Sequence, residues 1–183
     1  MNPDWDDVSV NRRRPLPQGD VRGRFRVGAQ VMARTREALV TFAESGKSDG
    51  GHEGLVFWAG EESNDATEYS AVVVPDATHS QFGVFVDELA YGRAVREARS
   101  QGLVLLAQVH SHPGRDVRHS DGDDDLIVMP FEGMLSLVVP RYGVGWSRLD
   151  TAGVHQFQDG RWVQCSADSI LRSISAVTDG TAP

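Results

Sequence analysis

The sequence predicts a mixed α/β domain, a central β-sheet flanked by helices, and three observations carry the prediction. Two segments place apolar residues at helical spacing. Around them lie short apolar runs bounded by glycine, proline and polar turns, the pattern of strands. One run, Leu103–Val109, is apolar except at Gln108, as expected for a central strand covered on both faces. At 183 residues and 40% hydrophobic content, the chain suffices for one domain with its own core. That domain is expected at residues 24–178, between an N-terminal arm, 1–23, and a polar tail, 179–183.

The arm has no apolar period. Its Arg12-Arg13-Arg14, followed by Pro15-Leu16-Pro17, reads as a linker with solvated arginines. Phe25–Val31 predicts a short strand, and Met32–Ala43 a helix stopped at Gly46. Glu53–Gly60 and Tyr69–Val74 predict two strands joined by the polar turn Glu61–Thr67, and Asp76–Gly83 reads as a loop. Val86–Ser100 is the clearest helix, with Leu89, Ala90, Ala94, Val95 and Ala98 on one face. The central strand then runs into His110-Ser111-His112-Pro113. Ser120–Val128 predicts a short helix with Ser120 as its N-cap. Met134–Val139 predicts a buried strand, Val154–Val163 a hairpin turning at Asp159-Gly160, and Ala167–Val177 a last helix.

Charge and composition exclude several functions. Eighteen Lys and Arg against 26 Asp and Glu give a formal net charge of −8, which argues against nucleic-acid binding through a basic surface. No apolar run approaches the length that spans a bilayer, and no basic stretch followed by an apolar one opens the chain. The expectation is a cytoplasmic protein without a membrane partner. The single cysteine, Cys165, excludes a disulfide framework and a thiolate-rich zinc site and reads as a packing residue. Lys47 is the only lysine beside 17 arginines. GC-rich codon usage accounts for that, as would avoidance of amines as conjugation targets.

Three positions carry the chemistry. His110 and His112 stand two apart at the end of a strand, so both imidazoles point to one face and can meet one metal ion. Asp123 follows after a loop long enough to return over them, and Pro113 turns the chain out of the strand. Two histidines and a carboxylate leave a fourth tetrahedral position for water. Glu53, heading an earlier strand, is the candidate base that takes a proton from that water and hands it to a leaving amine. Ser120 is placed to donate to a tetrahedral oxyanion. Within Asp121-Gly122-Asp123-Asp124-Asp125, spacing favours Asp123, with Asp121 and Asp124 as alternative ligands. The same run with Glu132 imitates a calcium loop, but Leu126 stands where glycine is required and Pro130 interrupts it. His119 reads as a water-facing loop residue. Trp58, Trp146 and Trp162 read as packing, and Trp5 as an anchor for a partner.

Glu53, then His110-x-His112, seven residues, and Ser120-x-x-Asp123, resembles the signature of the JAMM (MPN+) metalloprotease family in its bacterial form, over about residues 28–140. The resemblance implies a cytidine-deaminase-like JAB/MPN fold. It implies Zn2+ held by His110, His112 and Asp123, Glu53 as general acid/base, and Ser120 as oxyanion stabiliser. It further implies hydrolysis, through a zinc-activated water, of the peptide or isopeptide bond at the C-terminus of a ubiquitin-like protein, with E1- and E2-like enzymes as associated partners. Members that trim a sulfur-carrier protein's C-terminus, and members that serve as non-catalytic scaffolds, are the alternatives. The loops Glu61–Thr67 and Asp76–Gly83 are the expected walls of the substrate groove.

Overall fold

The central apolar run becomes the middle strand of a nine-stranded mixed sheet. The computed structural model describes residues 12, 14–126 and 130–177. In chain order the elements are β1 (Gln18–Gly19), β2 (Phe25–Gly28), α1 (Ala29–Ser45), β3 (Leu55–Glu62), β4 (Thr67–Val73), β5 (Thr78–Ser80), β6 (Gly83–Phe85) and α2 (Glu88–Ser100). They continue with β7 (Val104–Ser111), a 3-10 turn (Asp123–Asp125), β8 (Leu135–Val139), β9 (Gly153–Gln158), β10 (Arg161–Cys165), α3 (Ala167–Ser173) and β11 (Ile174–Val177). The sheet order is β1-β10-β9-β8-β7-β3-β4-β2-β11, and β5 and β6 form a separate two-stranded hairpin. β7 runs antiparallel to β3 and parallel to β8.

Alternation along β3 explains why both faces are covered. Val56 and Trp58 face one core, shared with Val31, Met32 and Leu39 of α1, whereas Leu55 and Phe57 face a second, shared with Ala90, Ala94 and Ala98 of α2. Asp87 caps α2, its carboxylate accepting from the Ala90 amide at 2.7 Å. Leu89 does not join the buried face and is 74% exposed. The stripe is set by alanines four apart, which let the helix approach the sheet closely, and Leu89 lies about 100° off that line.

Other departures from expectation have similar local causes. Val31 belongs to α1 rather than to the preceding strand, because Gly28 in extended conformation ends one element and begins the other. The Asp76–Gly83 segment is not wholly loop: Thr78–Ser80 pairs with Gly83–Phe85. The last helix stops at Ser173, after which Ile174–Val177 pairs in parallel with β2. The arm is not free along its whole described length. Gln18 and Gly19 pair with β10, Val21 is buried, and the Arg12 side chain is folded back onto the domain. Trp5 lies outside the described residues, as do Ile127 and Val128 of the expected Ser120–Val128 helix.

The hairpin between β9 and β10 turns where expected, with positive φ at Asp159 and Gly160. Trp58, Trp146, Trp162 and Cys165 are buried, and burial pushes the Cys165 thiol up to about 12. Among the described residues, no helix is long and apolar enough to cross a membrane.

Gly153 opens β9 directly beneath the loop that follows His112. A Cβ there would stand 1.8 Å from the Val117 carbonyl oxygen, a backbone atom that no side-chain rotation can move. Gly153→Ala is therefore expected to cost about 2–3 kcal/mol. A thermal melt should show it as a fall in Tm of roughly 5 °C or more.

Candidate metal centre

β7 ends in His110 and Ser111, and His112 lies just beyond it, its amide still pairing with the Val139 carbonyl at 2.9 Å. The alternation that predicts a shared face therefore holds through both histidines. Their Nε2 atoms stand 3.2 Å apart. Asp123, on the returning 3-10 turn, brings Oδ1 to 3.4 Å from His110 Nε2 and Oδ2 to 3.2 Å from His112 Nε2. All three side chains are buried, and each offers one ligand atom within 4.8 Å of the others.

These distances test whether a metal fits. Around a tetrahedral ion with bonds of about 2.0–2.1 Å, neighbouring ligand atoms stand roughly 3.3–3.4 Å apart. The two imidazole nitrogens stand at that spacing, 3.2 Å, and each has one Asp123 oxygen at a similar distance, Oδ1 at 3.4 Å from His110 and Oδ2 at 3.2 Å from His112. The ligand atoms are imidazole nitrogens and a carboxylate oxygen, a donor set suited to a borderline divalent cation. The His112 ring is held in a ligating orientation, since Nδ1 donates to the Asp116 carbonyl at 2.9 Å and leaves Nε2 as the inward-facing atom. Burial would raise the pKa of Asp123, but the adjoining His110 and His112 pull it well below the usual carboxylate range, so it is ionised and ready to ligate.

The spacing of Ser120 and Asp123 has a structural reason. The Ser120 amide donates to Asp123 Oδ2 at 2.6 Å, and the Asp123 amide donates to Ser120 Oγ at 3.1 Å. This reciprocal pair is built like a capping box and locks the ligand to the serine. Because Ser120 Oγ accepts that bond, its O–H stays available to donate elsewhere.

Glu53 sits at the mouth of β3. Leu55 pairs with His110, and the Ser111 amide donates to the Gly54 carbonyl at 3.0 Å, so one further step sets Glu53 across from His112 on the same face. Its amide donates to the Ser80 carbonyl of β5 at 2.8 Å. Burial raises the Glu53 carboxyl to about 8, His112 working against the shift and Asp123 adding to it. A buried carboxyl raised above its ordinary range beside the histidines and Asp123 makes Glu53 a candidate proton carrier.

All five predicted site residues thus lie at one end of β3 and β7. The two expected groove walls do not both join them. The β5–β6 hairpin adjoins Glu53, but the turn at Glu61–Thr67 lies at the far end of β3, about 25 Å away at 3.3 Å per residue. Of the alternative ligands, Asp124 is engaged elsewhere, with His119 Nδ1 at 3.0 Å and Arg12 Nη2 at 2.8 Å.

Several neighbours escape sequence reasoning. His119 is not water-facing but fully buried, stacked on His155 with ring centroids 3.8 Å apart. Its Nε2 meets Ser136 Oγ at 2.8 Å, and Gln108 Nε2 donates to the same oxygen at 2.8 Å. The polar break at Gln108 in an otherwise apolar strand is the one signal of this network, since a buried amide must find partners. Tyr142 follows β8 with φ of 57° and hydrogen-bonds the Gly51 carbonyl at 3.3 Å. Burial raises its phenol to about 12, with Glu53 contributing. No local pattern announces that left-handed turn.

Comparison with known proteins agrees with this geometry. No family model matches the chain. A curated protein of Sinorhizobium fredii (strain NBRC 101917 / NGR234), named "Probable metalloprotease y4jG", is 33% identical over 119 residues, covering 62% of this chain and 73% of the relative. The chain belongs to the JAMM (MPN+) metalloprotease family. Two solved structures share the fold of this JAMM chain. Protein DSY2949 from Desulfitobacterium hafniense matches with a TM-score of 0.58 at 15% identity, over 85% of this chain and 94% of the other. A protein from Salinibacter ruber (strain DSM 13855) matches with a TM-score of 0.53 at 18% identity, over 86% and 94%. The mixed sheet with its flanking helices is therefore the JAB/MPN fold in this JAMM member, with a metal-competent His-His-Asp cluster at one end.

Proposed function

We propose that this protein is a cytoplasmic, zinc-dependent hydrolase that cuts the peptide or isopeptide bond at the C-terminal tail of a ubiquitin-like protein, in the company of E1- and E2-like enzymes. The observation that carries the chemistry is the buried cluster of His110 Nε2, His112 Nε2 and the Asp123 carboxylate beside a buried carboxyl, Glu53. Bound by these three residues, zinc supplies a Lewis acid that lowers the pKa of water to about 7 and polarises a carbonyl. Glu53 takes the water proton and returns it to the leaving amine. Ser120, its Oγ already accepting from the Asp123 amide, turns its O–H to the developing oxyanion.

The substrate class rests on the family and on the hairpin beside Glu53. The β5–β6 hairpin adjoins the base and carries exposed Phe85, with exposed Phe82 in its turn. An extended tail can lie along such a wall, gaining affinity from backbone pairing rather than from a particular side chain.

Cleavage assays test the proposal. Ubiquitin-like proteins bearing either a lysine-linked partner or a short linear extension should be cut after the terminal glycine, and the faster of the two separates conjugate removal from carrier processing. Zinc-loaded protein inert on both would sink the reading and leave a scaffold. Ser120→Ala is expected to lower kcat by about 10²–10³-fold with little change in KM.

A further inference from the structure

We infer that Arg12, reaching back from the N-terminal arm, is a positioning residue that clamps the loop carrying Ser120 and Asp123 over the two histidines. The inference rests on His110, His112 and Asp123 being the metal ligands. The Arg12 side chain faces inward and is only 13% exposed. Its guanidinium fork spends its donors on one loop: Nη2 meets Asp124 Oδ2 at 2.8 Å, and Nη1 donates to the Ser120 carbonyl at 3.0 Å and more weakly to that of His119 at 3.4 Å. Nε is held by the Arg14 carbonyl at 2.6 Å, which fixes the fork against its own stretch of chain.

The clamp is the outer end of a hydrogen-bonded chain that reaches the centre of the sheet. Asp124 Oδ1 accepts from His119 Nδ1 at 3.0 Å, His119 Nε2 accepts from Ser136 Oγ at 2.8 Å, and Ser136 Oγ accepts from Gln108 Nε2 at 2.8 Å. Every donor in that series meets an acceptor when His119 is neutral, and burial favours the neutral ring. Gln108 and Ser136 pair across β7 and β8, the rigid centre of the sheet. The loop is therefore tied at one side to the sheet through His119 and Asp124, and at the other to the arm through Arg12. Asp123 and Ser120 lie between the two ties.

Removing Arg12 frees two loop carbonyls and leaves the Asp124 carboxylate beside that of Asp123 without its cation. Asp123 must then be ordered when a metal binds, and that ordering opposes binding. Loss of a partner that orients a metal ligand typically weakens metal affinity about 10–100-fold. A lysine keeps the charge but not the fork, so it should recover only part of the loss.

The test uses the full chain. Zn2+ affinity is measured by chelator competition for wild type, Arg12→Ala, Arg12→Lys, Asp124→Asn and the R12A/D124N double variant, and amide hydrogen exchange is followed on the metal-free proteins. The expected results are an affinity loss of about 10–100-fold in R12A, a smaller one in R12K, and a loss in R12A/D124N well short of the product of the single losses. The Ser120 and Asp123 amides should exchange faster in R12A, while those of β7 and β8 stay as protected as in wild type. Unchanged exchange at Ser120 and Asp123 overturns the clamp. Zn2+ binding as tight in R12A as in wild type overturns its role at the metal. Failure of the wild-type chain to bind Zn2+ would instead count against the metal centre, and the exchange data would still decide the clamp by themselves.

Discussion

Glu53→Gln is expected to abolish hydrolysis while the protein stays folded and keeps its zinc. Proton transfer by a positioned side chain contributes about 10²–10⁴-fold. Glu53 is asked to act twice, accepting a proton from water and delivering it to the amine, so the upper part of that range applies. Glutamine is close to the shape of the protonated acid, the form Glu53 takes once it has accepted the proton of the water. It removes the titrating oxygen without emptying the space beside His112. The melt of E53Q should therefore match wild type within a few degrees, and metal analysis should return the same stoichiometry. Glu53→Asp, which withdraws the carboxyl by one methylene, should retain a small part of the rate. Substantial hydrolysis by E53Q would move the proton transfer to another group and dismantle the reading of β3 as the strand that carries the base.

The five residues of the centre are legible because their signals are local. His110 and His112 lie two apart at a strand end, and a strand's two-residue period decides that they share a face. Ser120 and Asp123 stand three apart, and the reciprocal cap between them makes that spacing a structural necessity as well as a chemical one. What stays hidden depends on contacts distant in sequence. Arg12 lies 112 residues before Asp124, and nothing near it distinguishes a clamping arginine from a solvated one. His119 reads as exposed because its neighbours are polar, yet it inserts against His155 on β9, a strand still to come in the chain. The fold shows the same division. The hydrophobic runs announce β3, β4, β7 and β8, while β5 and β6, three residues each, are too short to show a period. The helical pattern reads through Ile174, whose β-branched side chain instead opens a strand against β2.

Zinc itself should stabilise the fold, and removing a single ligand should erase that effect. A ligand bound only by the folded state stabilises it by about 2.7 kcal/mol when present at 100 times its Kd. For a chain of this size that amounts to a rise in Tm of roughly 5–10 °C, reversible by a chelator. His110→Ala should lose the whole shift, because two donors cannot hold a site built for three. It leaves the Ser120–Asp123 cap untouched, so its metal-free melt reports the loss of a buried ring and of its pull on the Asp123 carboxylate. Asp123→Ala should lose the same shift and in addition melt lower without metal, since the Ser120 amide loses its acceptor at a cost of about 1 kcal/mol. Asp123→Asn separates the two effects: its side-chain oxygen can still accept from Ser120, but an amide is a poor substitute for an ionised ligand. The expected pattern is no zinc shift in any of the three, with the metal-free melt of D123N above that of D123A. A full zinc shift in D123A would assign the third ligand to another acid. The convergence of Asp123 with His110 and His112 would then be a capping contact that happens to lie beside a metal.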